Sequence, residues 1–436
     1  MPNHFFIEGF ISITILMCFI YSLIRERNDF TRTKFYELFA PVLRLELIII
    51  YFWTTFHKIN TGFLDYKISC ATVQLFNVKD IIPFLPAPDW FLSINPYLTL
   101  LIEGLIPIFL IIPKTRIFGL IIGIFFHFIL GFEYKSFTIF VYSLYSLFIP
   151  ASSYETIKNR VDELRDKISA VSSRVIIHKN WGKNITYHFI TNIAFVFFIL
   201  FTLRMFMRGN KETSYLISSP GLYLIFSLIL GTLFFYFVVL KVKELRIDGN
   251  ISFFPKNKWL LIFPVIVFLN GLFPHIGLKN VQVMAMFSNL QTEGGETNHL
   301  LIPSSFQLFN YLEDTVSVKG SHYTRLIQLS GSSLELPTDL TAVLGPKYYL
   351  EYMNNKEGDF RTKIKYKIPF VMLQNLVTLS SRGGGKNIEL LYKRGGKVFY
   401  TKNAELDPLL SNASIFQIKF LSQRLVPEEE SGLCMW

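Results

Sequence analysis

Two basic residues closing an apolar run are the first candidates for chemistry in this sequence. In YFWTTFHKINTGFL (residues 51–64), His57 and Lys58 follow an aromatic-rich stretch. A lysine held where water is scarce can give up its proton and act as a base or nucleophile. Glu103 stands inside LIEGLIPIFLII (101–112), and His127 lies between Phe126 and Phe128. Arg44, Glu46 and Arg204 are further charges in or beside apolar runs. Such groups are costly at membrane depth unless partnered, which makes each one informative. Each also has a plain reading. Lys58 would snorkel to lipid headgroups, His127 would be a buried hydrogen-bonded histidine, Glu103 would pair with Arg44 between helices, and Trp90 would be an interfacial anchor.

The elements that must hold these residues are membrane helices. Of 436 residues, 51% are hydrophobic and only 17% charged, with 45 Phe and 21 Tyr. Soluble domains run near ~25% charged, so disorder, collagen-like repeats and a disulfide scaffold are excluded. Runs near the ~20 residues needed to cross a bilayer fall at about 5–24, 42–56, 97–112, 117–132, 137–149, 185–207, 222–240 and 259–278. The expected fold is an all-α bundle of about eight transmembrane helices over residues 1–278, followed by a soluble α+β domain over 279–436. The first run reads as an anchor rather than a cleaved signal, because no Lys or Arg precedes it and Arg25 and Arg27 follow it.

The net charge is +11, but residues 1–278 hold 26 Lys and Arg against 17 Asp and Glu. The excess therefore sits in membrane loops and does not indicate nucleic acid. Loops after the first, third, fifth and seventh runs carry 18 basic residues, against 7 after the others, counting Arg204 at the outer end of the sixth. The positive-inside rule then puts both termini on the extracytoplasmic side. In that orientation Lys58 lies at an outer helix end, His127 one to two turns below the same surface, and Glu103 near mid-membrane. Lys58 and His127 would share an outward cavity roofed by IIPFLPAPDWFL (81–92), which carries Trp90. Residues 154–172 read as an amphipathic helix on the cytoplasmic surface. Residues 284–299 are either a solvated linker or a lid over the cavity mouth.

Beyond residue 278 the pattern turns strand-like at 323–330, 363–368, 388–401 and 415–422, with Arg394-Gly395-Gly396-Lys397 as a hairpin turn. Residues 371–381 read as a helix. There is no GxSxG, HExxH or complete Walker A sequence, and RGGGK (382–386) lacks the phosphate-loop spacing. No metal site is expected from the three cysteines, which form no CxxC. Cys18 lies in an apolar run. Cys70 and Cys434 are either free or, if both face an oxidising compartment, bridged.

Residues 51–64 resemble a family pattern in which an aromatic pair and a short small-residue stretch precede a lysine at a helix end. Residues 101–150 are similar to the next three helices of that family, with Phe-His in the second and SFTIF opening the third. MAMFSNLQTEGGETNHLLIP (284–303) is similar to a segment beyond the last helix of bacterial members. The family is the vitamin K-dependent γ-carboxylase-like group, also called the horizontally transferred transmembrane domain family, and the core of the resemblance is about 44–150.

The resemblance implies an integral protein of a bacterial cell membrane with Lys58 as catalytic base and His127 beside it. His57, Glu103 and Trp90 are expected to line a bound cofactor in that cavity. That cofactor would be vitamin K hydroquinone or a related menaquinol. The implied reaction uses this quinol with oxygen and carbon dioxide to carboxylate glutamate in a secreted or membrane protein or peptide. Such chemistry needs a dry cavity protecting a strongly basic species from water. Two other functions compete: a non-catalytic quinone- or lipid-binding scaffold whose outer domain recruits a partner, and a transporter using Arg44, Glu46 and Glu103.

Overall fold

The computed structural model describes residues 3–25, 30–81, 87–131, 135–149, 159, 162, 166, 251–321, 366–421, 423–424, 426–427 and 434. Apolar runs become helices because a helix satisfies every backbone polar group within its own segment. They form α1 (Asn3–Arg25), α2 (Arg32–Phe56), α3 (Thr61–Leu64), α4 (Cys70–Ile81), α5 (Asp89–Ile111), α6 (Arg116–Leu130), α7 (Lys135–Ser146) and α8 (Ile262–Leu272). Three segments, Phe6–Arg25, Asp89–Ile111 and Pro113–Leu130, are long and apolar enough to cross a membrane. The chain is thus mostly helical, with three such segments among the described residues, a coarser result than eight. Residues 185–207 and 222–240 lie outside the described residues, as do most of 154–172. The runs at 137–149 and 259–278 yield α7 and α8, helices of 12 and 11 residues. At ~1.5 Å per residue neither spans a ~30 Å core alone.

The described chain divides into two compact units, Met1–Leu105 with Phe253–Trp436, and Ile106–Ser252. In the first, α2 packs against α1 and α8. It begins at Thr31, whose side chain accepts from the Lys34 amide, and it carries Pro41. Two of its charges are buried and partnered: Glu46 accepts from the Thr14 hydroxyl at 3.0 Å, and Arg44 donates to the Tyr36 hydroxyl at 3.2 Å. Cys18, Leu38, Val42, Leu260 and Phe263 join α1, α2 and the start of α8 in one cluster.

A small antiparallel sheet ends the chain. Its strands are β1 (Thr315–Ser321), β2 (Tyr366–Pro369), β3 (Leu390–Arg394), β4 (Lys397–Thr401) and β5 (Val426–Pro427), in the order β4-β3-β1-β2-β5. Helix α9 (Phe370–Arg382) closes its core, with Leu373 and Val377 against Val316, Ile368, Leu390 and Tyr392. The expected hairpin forms, with Gly395 and Gly396 both at positive φ. The expected helix over 371–381 forms as α9. The stretch at 415–422, expected as a strand, is instead α11 (Ile415–Phe420), which follows the one-turn α10 (Pro408–Ser411). Ser414 and Gln417 form a reciprocal capping box that starts α11, a local signal that outweighs the alternation of its apolar residues. Residues 323–330 lie outside the described residues.

Candidate functional site

Helix α2 ends at Phe56, and the chain turns sharply through His57, Lys58 and Ile59 into Asn60. Asn60 is completely buried and holds this turn. Its Oδ1 accepts from the Phe63 amide at 2.8 Å, capping α3, and its Nδ2 donates to the carbonyls of His57 and Ser288 at 2.7 and 2.6 Å. The turn therefore points Lys58 back into the bundle. The lysine is 3% exposed, which excludes snorkelling to headgroups.

The Lys58 ammonium has three donors and three acceptors. Glu103 Oε2 lies at 2.8 Å, the Thr54 carbonyl at 3.2 Å and the Met286 carbonyl at 3.3 Å. The Phe63 ring faces it at 5.7 Å. Glu103 comes from the middle of α5 and is itself buried. Arg44, the partner expected for Glu103 under the plain reading, turns to Tyr36 instead.

The third acceptor belongs to a strap, residues 282–302, lying over the end of α2. Gln282, Met284, Phe287 and Asn289 all adopt positive φ between 51° and 62°. Non-glycine residues take this region at a cost, and several together mark a segment held by its surroundings. Those surroundings are dense in hydrogen bonds. Asn289 accepts from the Cys70 amide and donates to the Ile68 carbonyl, while Asn298 donates to Asn60 Oδ1 and the Asn289 carbonyl. Asn60 and His299 form a β-bridge. Glu293 is fully enclosed and takes up both Asn280 and Arg424. A solvated linker has none of these features, so that reading is corrected. Cys70 and Cys434 are bridged, which ties the chain terminus to α4 close to the strap.

Beside Lys58 sits a cluster of three histidines that no spacing in the sequence announces. His57 Nε2 donates to the Gly271 carbonyl at 2.9 Å. Gly271 must be glycine here, since a Cβ would enter the Trp53 indole. His299 Nε2 donates to the Phe56 carbonyl at 3.0 Å, and its Nδ1 accepts two amides at 3.1 Å. Burial holds His299 below the ordinary imidazole range, the Phe56 bond pulling the other way. His275 lies between them, its ring tilted 5.1 Å from that of His57 and edge-on 4.9 Å from that of His299, centre to centre. It is buried, and among the described residues neither of its ring nitrogens, nor Trp53 Nε1, has a hydrogen-bond partner. Buried polar groups are nearly always satisfied, so three orphans in one aromatic cluster mark a place for a polar ligand or water. Among the described residues, no three His, Cys, Asp or Glu are placed to hold a metal ion.

His127 belongs to the second unit, buried in α6, its carbonyl accepting from the Thr138 hydroxyl and its ring edge-on to Phe137 and Tyr145. Trp90 stands at the start of α5, 66% exposed. Residues 82–86 of the expected roof lie outside the described residues. No protein-family model matches the sequence, and neither a curated protein nor a solved structure matches it.

Proposed function

We propose that this chain is an integral membrane enzyme of the γ-carboxylase-like kind, with Lys58 as the base. The supporting observation is the enclosed Lys58–Glu103 pair at 2.8 Å, since a buried pair can relay a proton between its members without exposing charge to water. Glu103 receives or returns the proton, Thr54 and Met286 fix the amine through their carbonyls, and the strap excludes solvent. The residues suit a hydroquinone-type ring: the His275 nitrogens and Trp53 Nε1 offer unpaired polar atoms within an aromatic cluster. When bound, vitamin K hydroquinone or menaquinol would supply the reducing equivalents and the acidic hydroxyl. The remaining proposals are carbon dioxide, oxygen and a glutamate-bearing peptide as co-reactants, about eight transmembrane helices, and a bacterial cell membrane with both termini outside. The Cys70–Cys434 bridge supports that orientation, because both residues then need the oxidising side.

The saturated Lys58 ammonium favours a second reading, a scaffold in which the pair only pins α2, α5 and the strap together. Quinol oxidation or epoxide formation by purified protein separates the two. Arginine keeps a positive charge and cannot deprotonate, its pKa exceeding ~12. Under the enzymatic reading Lys58→Arg is as inactive as Lys58→Ala. Full activity in Lys58→Arg removes Lys58 as the base.

A further inference from the structure

The loop that leaves the strap has its polarity inside out for a surface facing water. From Thr297 to Leu312 the sequence holds no Asp, Glu, Lys or Arg. Leu308 and Leu301 are 76% and 63% exposed, and Leu300, Phe306 and Phe309 are each about half exposed. Gln307, by contrast, turns inward, its Nε2 donating to the Thr292 carbonyl of the strap at 2.8 Å. Large apolar side chains exposed together mark an interaction surface, whereas single ones do not. The backbone needs little from water either. The amides of residues 300–302 and 306–309 are all bonded within the protein, to Ile59, His299, Pro303, Ser304 and Ile276. That lowers the cost of moving the loop into an apolar medium.

The contacts of the loop place it at the edge of the membrane core. The Leu300 amide donates to the Ile59 carbonyl just beyond α2 at 3.0 Å. The Leu308 and Phe309 amides donate to the Ile276 carbonyl, shortly beyond α8, at 3.1 and 3.0 Å. The end of α8 is level with the start of a span, because Phe6 opens the bilayer-length segment of α1 and faces the same cavity as Phe273. The loop also continues an apolar outer face of the helices. Phe268 of α8 and Phe52 of α2, both partly exposed, stack at 6.2 Å between ring centres. Phe52 stacks on Phe56 at 5.5 Å, and Phe56 meets His299, the residue before Leu300, at 4.6 Å.

We infer that residues 300–309 form a membrane-embedded foot whose apolar side chains pack against lipid chains at the headgroup–acyl boundary. Irregular backbone is excluded from the lipid-exposed hydrocarbon core, and the boundary layer is where apolar segments that do not span come to rest. The inference rests on the membrane placement proposed above and on no chemistry at Lys58. Because Gln307 ties the foot to Thr292 and His299 ties it to Phe56, the bilayer itself helps to hold the strap over the end of α2.

Nitroxide labels on Leu301→Cys and Leu308→Cys, in the full chain in phosphatidylcholine vesicles, test it. Cys18 is buried and Cys70 and Cys434 are bridged, so the label goes to the introduced cysteine. Oxygen, which dissolves in lipid, should relax each label roughly threefold more than a polar nickel chelate, as for side chains ~5–10 Å into the boundary layer. Val265→Cys, on the exposed face of α8, should favour oxygen more strongly still. A preference for the chelate at both loop sites, with Val265 in lipid, overturns the foot and leaves the membrane placement standing. Shielding of both loop sites from both reagents means that a second copy or another protein covers them, which also overturns the inference. A preference for the chelate at Val265 as well removes the membrane placement and the foot together.

Discussion

Replacing Glu103 by glutamine removes one charge from a pair whose side chains are 4% and 10% exposed. At 2.8 Å and an effective dielectric of ~20, the attraction lost is about 6 kcal/mol. The desolvation of two buried ions offsets much of that, so the intact pair contributes little compared with apolar groups of the same size. A single replacement behaves differently, because it leaves the Lys58 ammonium buried with only the Thr54 and Met286 carbonyls and a weak amide acceptor. Glu103→Gln and Lys58→Met are each expected to cost about 3–5 kcal/mol. The double variant Lys58→Met with Glu103→Leu should cost far less than their sum, a coupling of at least ~2 kcal/mol. The assay is thermal or denaturant unfolding of the purified protein in one detergent, wild type and three variants. Singles that each cost under ~1 kcal/mol, or costs that simply add, would refute the buried pair and return Lys58 to the headgroup layer. A double variant that is stable but inactive would separate the chemistry of the pair from its packing.

Asn60→Ala should lower stability by about 3 kcal/mol, since it strands buried partners in α2, α3 and the strap at once. Limited proteolysis near Gly294 should then accelerate, and unchanged cleavage would mean that the strap does not depend on Asn60. Lys279 sets a pH dependence of definite sign. Its folded value of about 8 lies below its ordinary value near 10.5, so the unfolded chain binds more protons between these pH values. Its cost is full below pH ~8 and is relieved as pH rises towards ~10.5, a gain of about 3 kcal/mol. Unfolding in a zwitterionic detergent at pH 7, 8, 9 and 10 should show this rise in the wild type. Lys279→Gln should flatten it, and an identical rise in that variant would assign the slope elsewhere.

What could be read along the chain was whatever depends on near neighbours. The hairpin at Gly395-Gly396 follows from two adjacent glycines between alternating strands, and α9 from its own apolar periodicity. The error at 415–422 is also local. IFQIKFLS has the alternation of a strand, while the deciding residues, Ser414 and Gln417, act through a cap rather than through hydrophobic pattern. Pairings of buried charge were harder. Arg44 and Glu103 are opposite in sign and both lie in apolar helices, yet Tyr36 is two turns away from Arg44 on the same helix and satisfies it there. That leaves Glu103 for Lys58, a choice set by packing that spacing does not encode.

The strap was beyond sequence reasoning for a different reason. Asn60 bonds Ser288, Lys58 bonds Met286 and His57 bonds Gly271, all more than two hundred residues apart in sequence. No periodicity links segments at such a distance, and asparagine at a helix start is ordinary capping chemistry when seen alone. In the fold these contacts have a cooperative consequence. The positive-φ residues at 282, 284, 287 and 289 are strained unless Asn60 and the Cys70 turn hold them, and the Lys58 amine lacks one acceptor unless Met286 is in place. The strain of the strap and the burial of the lysine therefore support one another. A change that releases the strap also admits water to the Lys58–Glu103 pair. Loss of any function at this pair should consequently follow from mutations at Asn60 or Asn289, neither of which touches Glu103 by any hydrogen bond among the described residues.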